Sequence, residues 1–210
     1  MLTPALFPRL SALAESPLTG PSSAARRSAA LLLAVLMLAT RQNHFGLLTD
    51  ASWAVFFLGG FYVGTVTLFA LFMAIAIAMD YVATQHLGVS SYCLSPAYPF
   101  LLPSYATLWI GGLWTARRWH AGQPLRNAVQ LALALWAATS VCFLISNGSF
   151  YWLSGRVAPT LAGWSVNLGD WYGAFLLVPF AYVSLAATAQ LVGERMRRRV
   201  ELLPRRAQPR

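Results

Sequence analysis

Cys93 is the most reactive side chain in a polar part of this sequence. It stands in SSYCLSPAYPF, residues 90–100, together with prolines and tyrosines. A thiolate suits a soft or borderline metal, which makes Cys93 a candidate metal ligand. Two other interpretations stay open: a disulfide with Cys142, which an oxidising compartment would favour, and a small buried apolar side chain. No CxxC pair accompanies the thiol, so spacing alone does not decide between them.

His44, Asp80 and His86 are further polar candidates, because each lies in or beside an apolar run. An ionised aspartate costs about 2.5–3.5 kcal/mol at the centre of a bilayer and less near its surface, so Asp80 is either part of a site or a solvated helix end. His44 is likewise either a site residue or an interfacial side chain. One cysteine and two histidines without a spaced motif predict a polar site, with a metal as one option.

The composition places these residues in a membrane protein. The chain is 58% hydrophobic and only 10% charged, whereas a soluble domain of this size carries about 25% charged residues. The net charge of +9 comes from arginines that cluster between apolar runs instead of covering a polar surface. That clustering is typical of membrane topology signals and excludes nucleic acid as the expected partner.

Six apolar runs predict an all-α integral membrane protein, a six-transmembrane-helix bundle. The runs cover about 24–42, 50–63, 65–84, 100–116, 127–147 and 171–193. The second run is short and could form a tight hairpin with the third, because Gly59, Gly60 and Gly64 allow close helix approach. The predicted organisation is a flexible or interfacial tail (1–23), the membrane domain (24–193) and a basic cytoplasmic tail (194–210).

The arginines also predict an orientation. With the amino terminus in the cytoplasm, thirteen arginines lie inside and only Arg41 and Arg156 lie outside, as the positive-inside rule requires. Both termini are then cytoplasmic. The outer face collects nearly all of the unusual polar side chains, which predicts a pocket open to the outside. They are Arg41, Asn43, His44, Asp80, His86, Cys93, Tyr98, Asn147, Arg156, Asn167 and Asp170.

Several short stretches resemble one transporter family. RQNHFG follows the first run, AMDY ends the third, SSYCLSPAYPF follows it, and FLISNGSFYWLSGR closes the fifth. With DASWAVFFLGGFYV in the second run, these stretches extend from about residue 25 to 192. In order and content they are similar to the solitary cobalamin-specific S-components of energy-coupling-factor (ECF) vitamin transporters, the BtuM family. The resemblance implies a six-helix bundle with its substrate site on the extracytoplasmic side.

The resemblance also implies roles for individual residues. Cys93 would coordinate the cobalt of the corrinoid, bound with its own nucleotide base displaced, and His44, Asp80 and Tyr98 match residues of the site. It further implies decyanation of cyanocobalamin as a secondary activity that depends on Cys93. Arg156, the late outer arginine, could hold a carboxamide or the nucleotide phosphate of the substrate. Aromatic side chains would form the pocket walls: Tyr92, Tyr98, Phe100, Tyr151 and Trp152.

The resemblance places the protein in the bacterial inner membrane, with cobalamin and the lipid bilayer as partners. A shared ECF module is another partner to consider, through small residues of the first run such as Ala25–Ala29 and Ala30–Ala34, although solitary members are proposed to work without a dedicated module. Those residues could equally make an ordinary contact within the chain. Three other functions stay open: an S-component for another vitamin, a membrane thiol oxidoreductase using Cys93 and Cys142, and a structural protein without a ligand.

Overall fold

The computed structural model describes residues 23–41, 49–86, 95–120, 122–155 and 158–202, and these residues are helical apart from turns and short connections. A 3-10 turn (Tyr98–Phe100) precedes the fourth of the α-helices. The α-helices are α1 (Ser23–Thr40), α2 (Ser52–Tyr62), α3 (Val66–His86), α4 (Leu101–Arg117), α5 (Pro124–Leu153) and α6 (Leu161–Leu202).

Four of these helices are long and apolar enough to cross a membrane: α1, α3, α5 and the part of α6 from Leu161 to Gly193. A span needs about 20 predominantly apolar residues. With 11 residues, α2 is apolar but shorter, and α4 has 17 residues. The prediction of an all-α protein is therefore confirmed for the described residues, four of whose helices are long and apolar enough to span a membrane. The count of six spans and the side of the membrane on which each end lies stay predictions.

The last helix departs from the predicted boundary at its start. It begins at Leu161, ahead of the predicted start at 171, so Asn167 and Asp170 belong to α6 and not to a loop. Thr160 explains this start, because its hydroxyl accepts a hydrogen bond from the Gly163 N–H (3.0 Å), the pattern of a helix N-cap. At the other end the apolar part of α6 ends at Gly193, at the predicted end of the sixth run, and the helix itself continues to Leu202.

The short helix α2 forms the centre of the bundle. Ten of its eleven residues are buried, and α1, α3, α4 and α6 all pack against it. A helix that is apolar on every side must be covered on every side, which explains this central place. Phe56 lies at the middle of the core and stacks on Tyr105 of α4 with ring centroids 4.3 Å apart.

Glycines allow α2 and α4 to touch through their backbones. A Cβ atom on Gly60 would overlap the carbonyl oxygen of Trp109, and one on Gly112 would overlap the carbonyl oxygen of Phe57. The close approach expected from Gly59 and Gly60 is thus real. The backbone contact at Gly60 is with α4, whereas a Cβ on Gly59 would meet the rings of Trp109 in α4 and Phe72 in α3. Gly64 has a different role: its φ of +71° allows the tight turn between α2 and α3.

Replacing Gly112 with alanine should destabilise the protein by about 1–3 kcal/mol, because the new methyl group must push two helix backbones apart. Gly169→Ala in α6 is the matched control, since a Cβ there meets nothing within 4 Å. That change should be neutral or slightly stabilising, because alanine favours helix over glycine. Thermal unfolding of the two variants in detergent measures the difference. Equal midpoints for both would contradict the backbone contact.

Candidate functional site

A buried ion pair joins α1 to α3 at one end of the bundle, which we call the Arg41 end. Arg41 directly follows α1 and is only 4% exposed. Its Nε lies 2.9 Å from Oδ1 of Asp80, and its Nη2 lies 2.6 Å from Oδ2 of the same carboxylate. Two parallel charge-assisted hydrogen bonds of this kind are both strong and directional. The pair therefore fixes the end of α1 against α3.

The remaining arginine nitrogen extends this contact to α2 and α4. Nη1 donates to the Ser52 hydroxyl (2.9 Å) and to the Tyr105 hydroxyl (3.0 Å). Asp50 lies beside it, with its Oδ2 3.8 Å from Nη1, and its Oδ1 accepts hydrogen bonds from the Ser52 N–H and hydroxyl. We call the connected side chains the Arg41 network. Its members are Arg41, Asp50, Ser52, Asp80, Tyr98 and Tyr105.

Burying these charges is expensive, and the network offsets that cost by pairing them. An ion pair in the protein interior often adds little net stability, but losing one partner leaves an uncompensated charge. Each arginine nitrogen that carries N–H groups has an acceptor here. The arrangement thus holds the ends of α1, α2, α3 and α4 in one specific register.

Tyr98, which lies just before α4, contacts the same Asp80 carboxylate. It lies in the 3-10 turn, and its hydroxyl donates a hydrogen bond to Oδ2 of Asp80 at 3.0 Å. Burial, together with the neighbouring Asp80 carboxylate, raises the pKa of Tyr98 above its ordinary value. The phenol therefore stays protonated and continues to donate. Asp80 precedes Cys93 in the sequence and Tyr98 follows it. Their hydrogen bond therefore joins the two parts of the chain that flank the cysteine.

The structure thus brings together two of the predicted site residues, Asp80 and Tyr98. Phe100, a third, has an exposed ring, and its carbonyl accepts the Ser104 hydroxyl at 2.7 Å. The other three predicted residues, His44, Cys93 and Arg156, lie outside the described residues. Among the residues that are described, no group of three or more histidine, cysteine, aspartate or glutamate side chains could hold a metal ion.

Sequence reasoning missed Asp50 and Tyr105 as members of this site, and it counted Arg41 among the outer polar side chains without predicting its pairing with Asp80. A usable signal existed for Arg41, because it is one of two arginines on the arginine-poor side of the predicted topology. Arg41 follows the first apolar run, and Asp80 ends the third run on the same predicted side of the membrane. A charged residue in such a place needs a partner of opposite charge. The sequence instead predicts a substrate-binding role for Arg156, the other outer arginine, which lies outside the described residues.

A second polar cluster joins α5 to α6. The side-chain amide of Asn147 donates to Oδ1 of Asn167 at 2.7 Å, and Nε1 of Trp164 donates to Oδ1 of Asn147 at 3.3 Å. Trp164 also meets Trp152 edge to face, with centroids 6.2 Å apart. Amide groups and aromatic rings therefore lie next to each other between α5 and α6.

Cys142, the second cysteine, is a free thiol on α5 with no exposed surface. Cys93, the partner considered for a disulfide, lies outside the described residues, so that pairing stays a prediction. A fully buried thiol also lacks the access that thiol–disulfide chemistry needs, which weighs against an oxidoreductase built on both cysteines.

No protein-family model matches the chain, and no curated protein is similar enough to it to count as a relative.

Proposed function

We propose that this protein takes up vitamin B12 (cobalamin) across the bacterial inner membrane. In this proposal the corrinoid binds base-off in an outward-facing pocket at the Arg41 end, with Cys93 as its cobalt ligand. The observation that carries the proposal is the hydrogen bond between Asp80 and Tyr98, at 3.0 Å. It joins α3, the helix that precedes the Cys93 segment, to the 3-10 turn that follows it, and a ligand-bearing segment needs such support from its neighbours.

This geometry suggests a positioning role for Asp80. Its carboxylate oxygens are already bonded to Arg41 and Tyr98, and its side chain is about 10% exposed. An aspartate so occupied has little capacity left for a substrate. Asp80 would therefore act on the corrinoid through Tyr98, and Arg41 would hold Asp80 in place.

The aromatic and amide groups near this end suit a corrinoid. Cobalamin is large and flat, with amides around its rim, so its pocket needs apolar walls and scattered hydrogen-bonding groups. Phe100 and Trp152 both present partly exposed rings. Asn147 and Asn167 are half-buried amides between α5 and α6. These groups support a site for the rim and the face of such a ligand.

Cys93 would supply the metal bond and a secondary activity, decyanation. Its thiol loses a proton when sulfur bonds to cobalt, because the thiolate is the ligating form. Sulfur donation then weakens the bond to cyanide on the opposite face. Cyanide leaves with its electron pair and takes up a proton, so hydrogen cyanide is released and cobalt keeps its oxidation state.

Partners and orientation form part of the same proposal. The arginine distribution predicts that both termini lie in the cytoplasm and the Arg41 end outside. Contact with a shared ECF module through α1 is less supported, because Ala30 and Ala34 pack against the core of the chain itself. Transport without a dedicated module fits this packing better.

The test is a visible spectrum of the full-length protein, purified in detergent with cyanocobalamin and passed over a desalting column. We expect about one corrinoid per chain and a spectrum that differs from free cyanocobalamin. Riboflavin, thiamine and biotin, offered in the same way, should not be retained. Retention of one of these vitamins instead would favour an S-component for another substrate. A colourless protein that retains none of them would contradict the proposed function.

A further inference from the structure

A groove lies at the opposite end of the bundle, between the start of α1 and the turn that joins α2 to α3. Its volume is about 220 Å³. We call it the Arg26 groove. Its lining consists of Arg26, Arg27, Ala30, Val63, Thr65, Thr67, Leu68 and Leu71.

Arg26, which lines this groove, has a side-chain N–H group without a hydrogen-bond acceptor among the described residues. Its side chain is half-buried, and this group, at Nε, is shielded from solvent. A shielded guanidinium N–H without an acceptor costs stability, because it has lost water and gained nothing. Arg27, which is exposed, adds a second positive charge beside it. The end of the groove at these arginines therefore favours an anionic oxygen ligand.

The rest of the groove is apolar and opens onto an apolar surface. Ala30, Val63, Leu68 and Leu71 provide most of the remaining wall. Around it, Leu31 is 67% exposed and Val66 is 82% exposed, as expected for side chains that face hydrocarbon. A small hydrophilic anion would match the two arginines but leave the apolar wall uncovered.

We propose that the Arg26 groove binds one anionic phospholipid. The phosphate would lie against Arg26 and Arg27, where basic residues at a membrane surface attract anionic headgroups. The first part of an acyl chain would fill the apolar wall along α1 and α3. This site is separate from the Arg41 end, and the inference does not depend on what the protein transports.

The experiment compares two phospholipids that share their acyl chains and differ in headgroup, one with a net negative charge and one zwitterionic. The full-length protein in detergent is titrated with phosphatidylglycerol or phosphatidylcholine of identical acyl chains, and bound lipid is counted by native mass spectrometry. We expect phosphatidylglycerol to bind more tightly by roughly an order of magnitude, given two arginines at the surface. Arg26→Gln combined with Arg27→Gln should abolish that preference, whereas Arg26→Lys with Arg27→Lys should keep most of it.

Two further variants separate a specific groove from general basic charge. Arg118→Gln with Arg126→Gln removes two arginines that do not line the groove and should leave the preference unchanged. Thr67→Trp should block the groove while both arginines remain, and Thr67 is exposed, so the core is undisturbed. If the control pair loses the preference equally, the attraction is general and the groove proposal is wrong. If Thr67→Trp binds phosphatidylglycerol as the wild type does, the groove is not where the lipid lies, and the proposal fails as well.

Discussion

Replacing Asp80 with alanine should destabilise the folded protein by about 3–5 kcal/mol, one of the two largest effects that we expect from a single substitution. The reason is the guanidinium of Arg41, which is 4% exposed and makes its two shortest charged contacts with this carboxylate. Without Asp80, the nearest carboxylate oxygen is that of Asp50 at 3.8 Å. Thermal unfolding in detergent should show a midpoint lower by about 10 °C for a chain of this size.

The matched control is Asp170→Ala, which removes an exposed carboxylate from α6. It should change stability by less than about 0.5 kcal/mol. The double variant Arg41→Met with Asp80→Leu should recover much of the loss, because removing both buried charges leaves none uncompensated. If the double variant is as unstable as Asp80→Ala with no recovery, the ion pair is not the source of the effect. If Asp80→Ala matches the wild type, the Arg41 network does not hold the helix ends together.

Replacing Cys93 with alanine should stop decyanation completely and remove the absorption changes that mark sulfur coordination. In the proposed site the thiolate is the donor opposite the cyanide, so no other group would labilise it. Corrinoid binding should weaken without vanishing, because the aromatic walls and the amide contacts remain. The measurement is the visible spectrum of the variant purified with cyanocobalamin, together with the rate of cyanide release.

Cys142→Ala is the control, since it removes a thiol that is free and fully buried in α5. It should reduce stability through lost packing and leave the bound spectrum as in the wild type. Cys93→His is the finer test, because imidazole binds cobalt but donates less strongly than a thiolate. It should restore part of the binding and none of the decyanation. Decyanation by Cys93→Ala at the wild-type rate would show that Cys93 is not the cobalt ligand.

The positions of the helices could be read from the sequence because length and apolarity are local properties. The predicted run at 65–84 corresponds to α3 (Val66–His86), and the run at 100–116 corresponds to α4 (Leu101–Arg117). The start of α6 was the exception. The apolar run predicts a start at about residue 171, whereas the Thr160 cap begins the helix at Leu161.

The sequence by itself determined an all-helical chain with apolar helices, and it singled out Asp80 and Tyr98 as unusual polar residues near helix ends. Only the tertiary structure decided their partners. Arg41 and Asp80 are 39 positions apart, and whether they meet depends on how α1 and α3 pack around α2. The same holds for Gly60 and Gly112, which allow the backbones of α2 and α4 to come into contact, whereas α3, the next helix in sequence, packs against α2 less closely. Hydrophobic patterning sets which segments become helices, but the choice of contacts between helices follows from side-chain shape and the pairing of buried charges at each crossing.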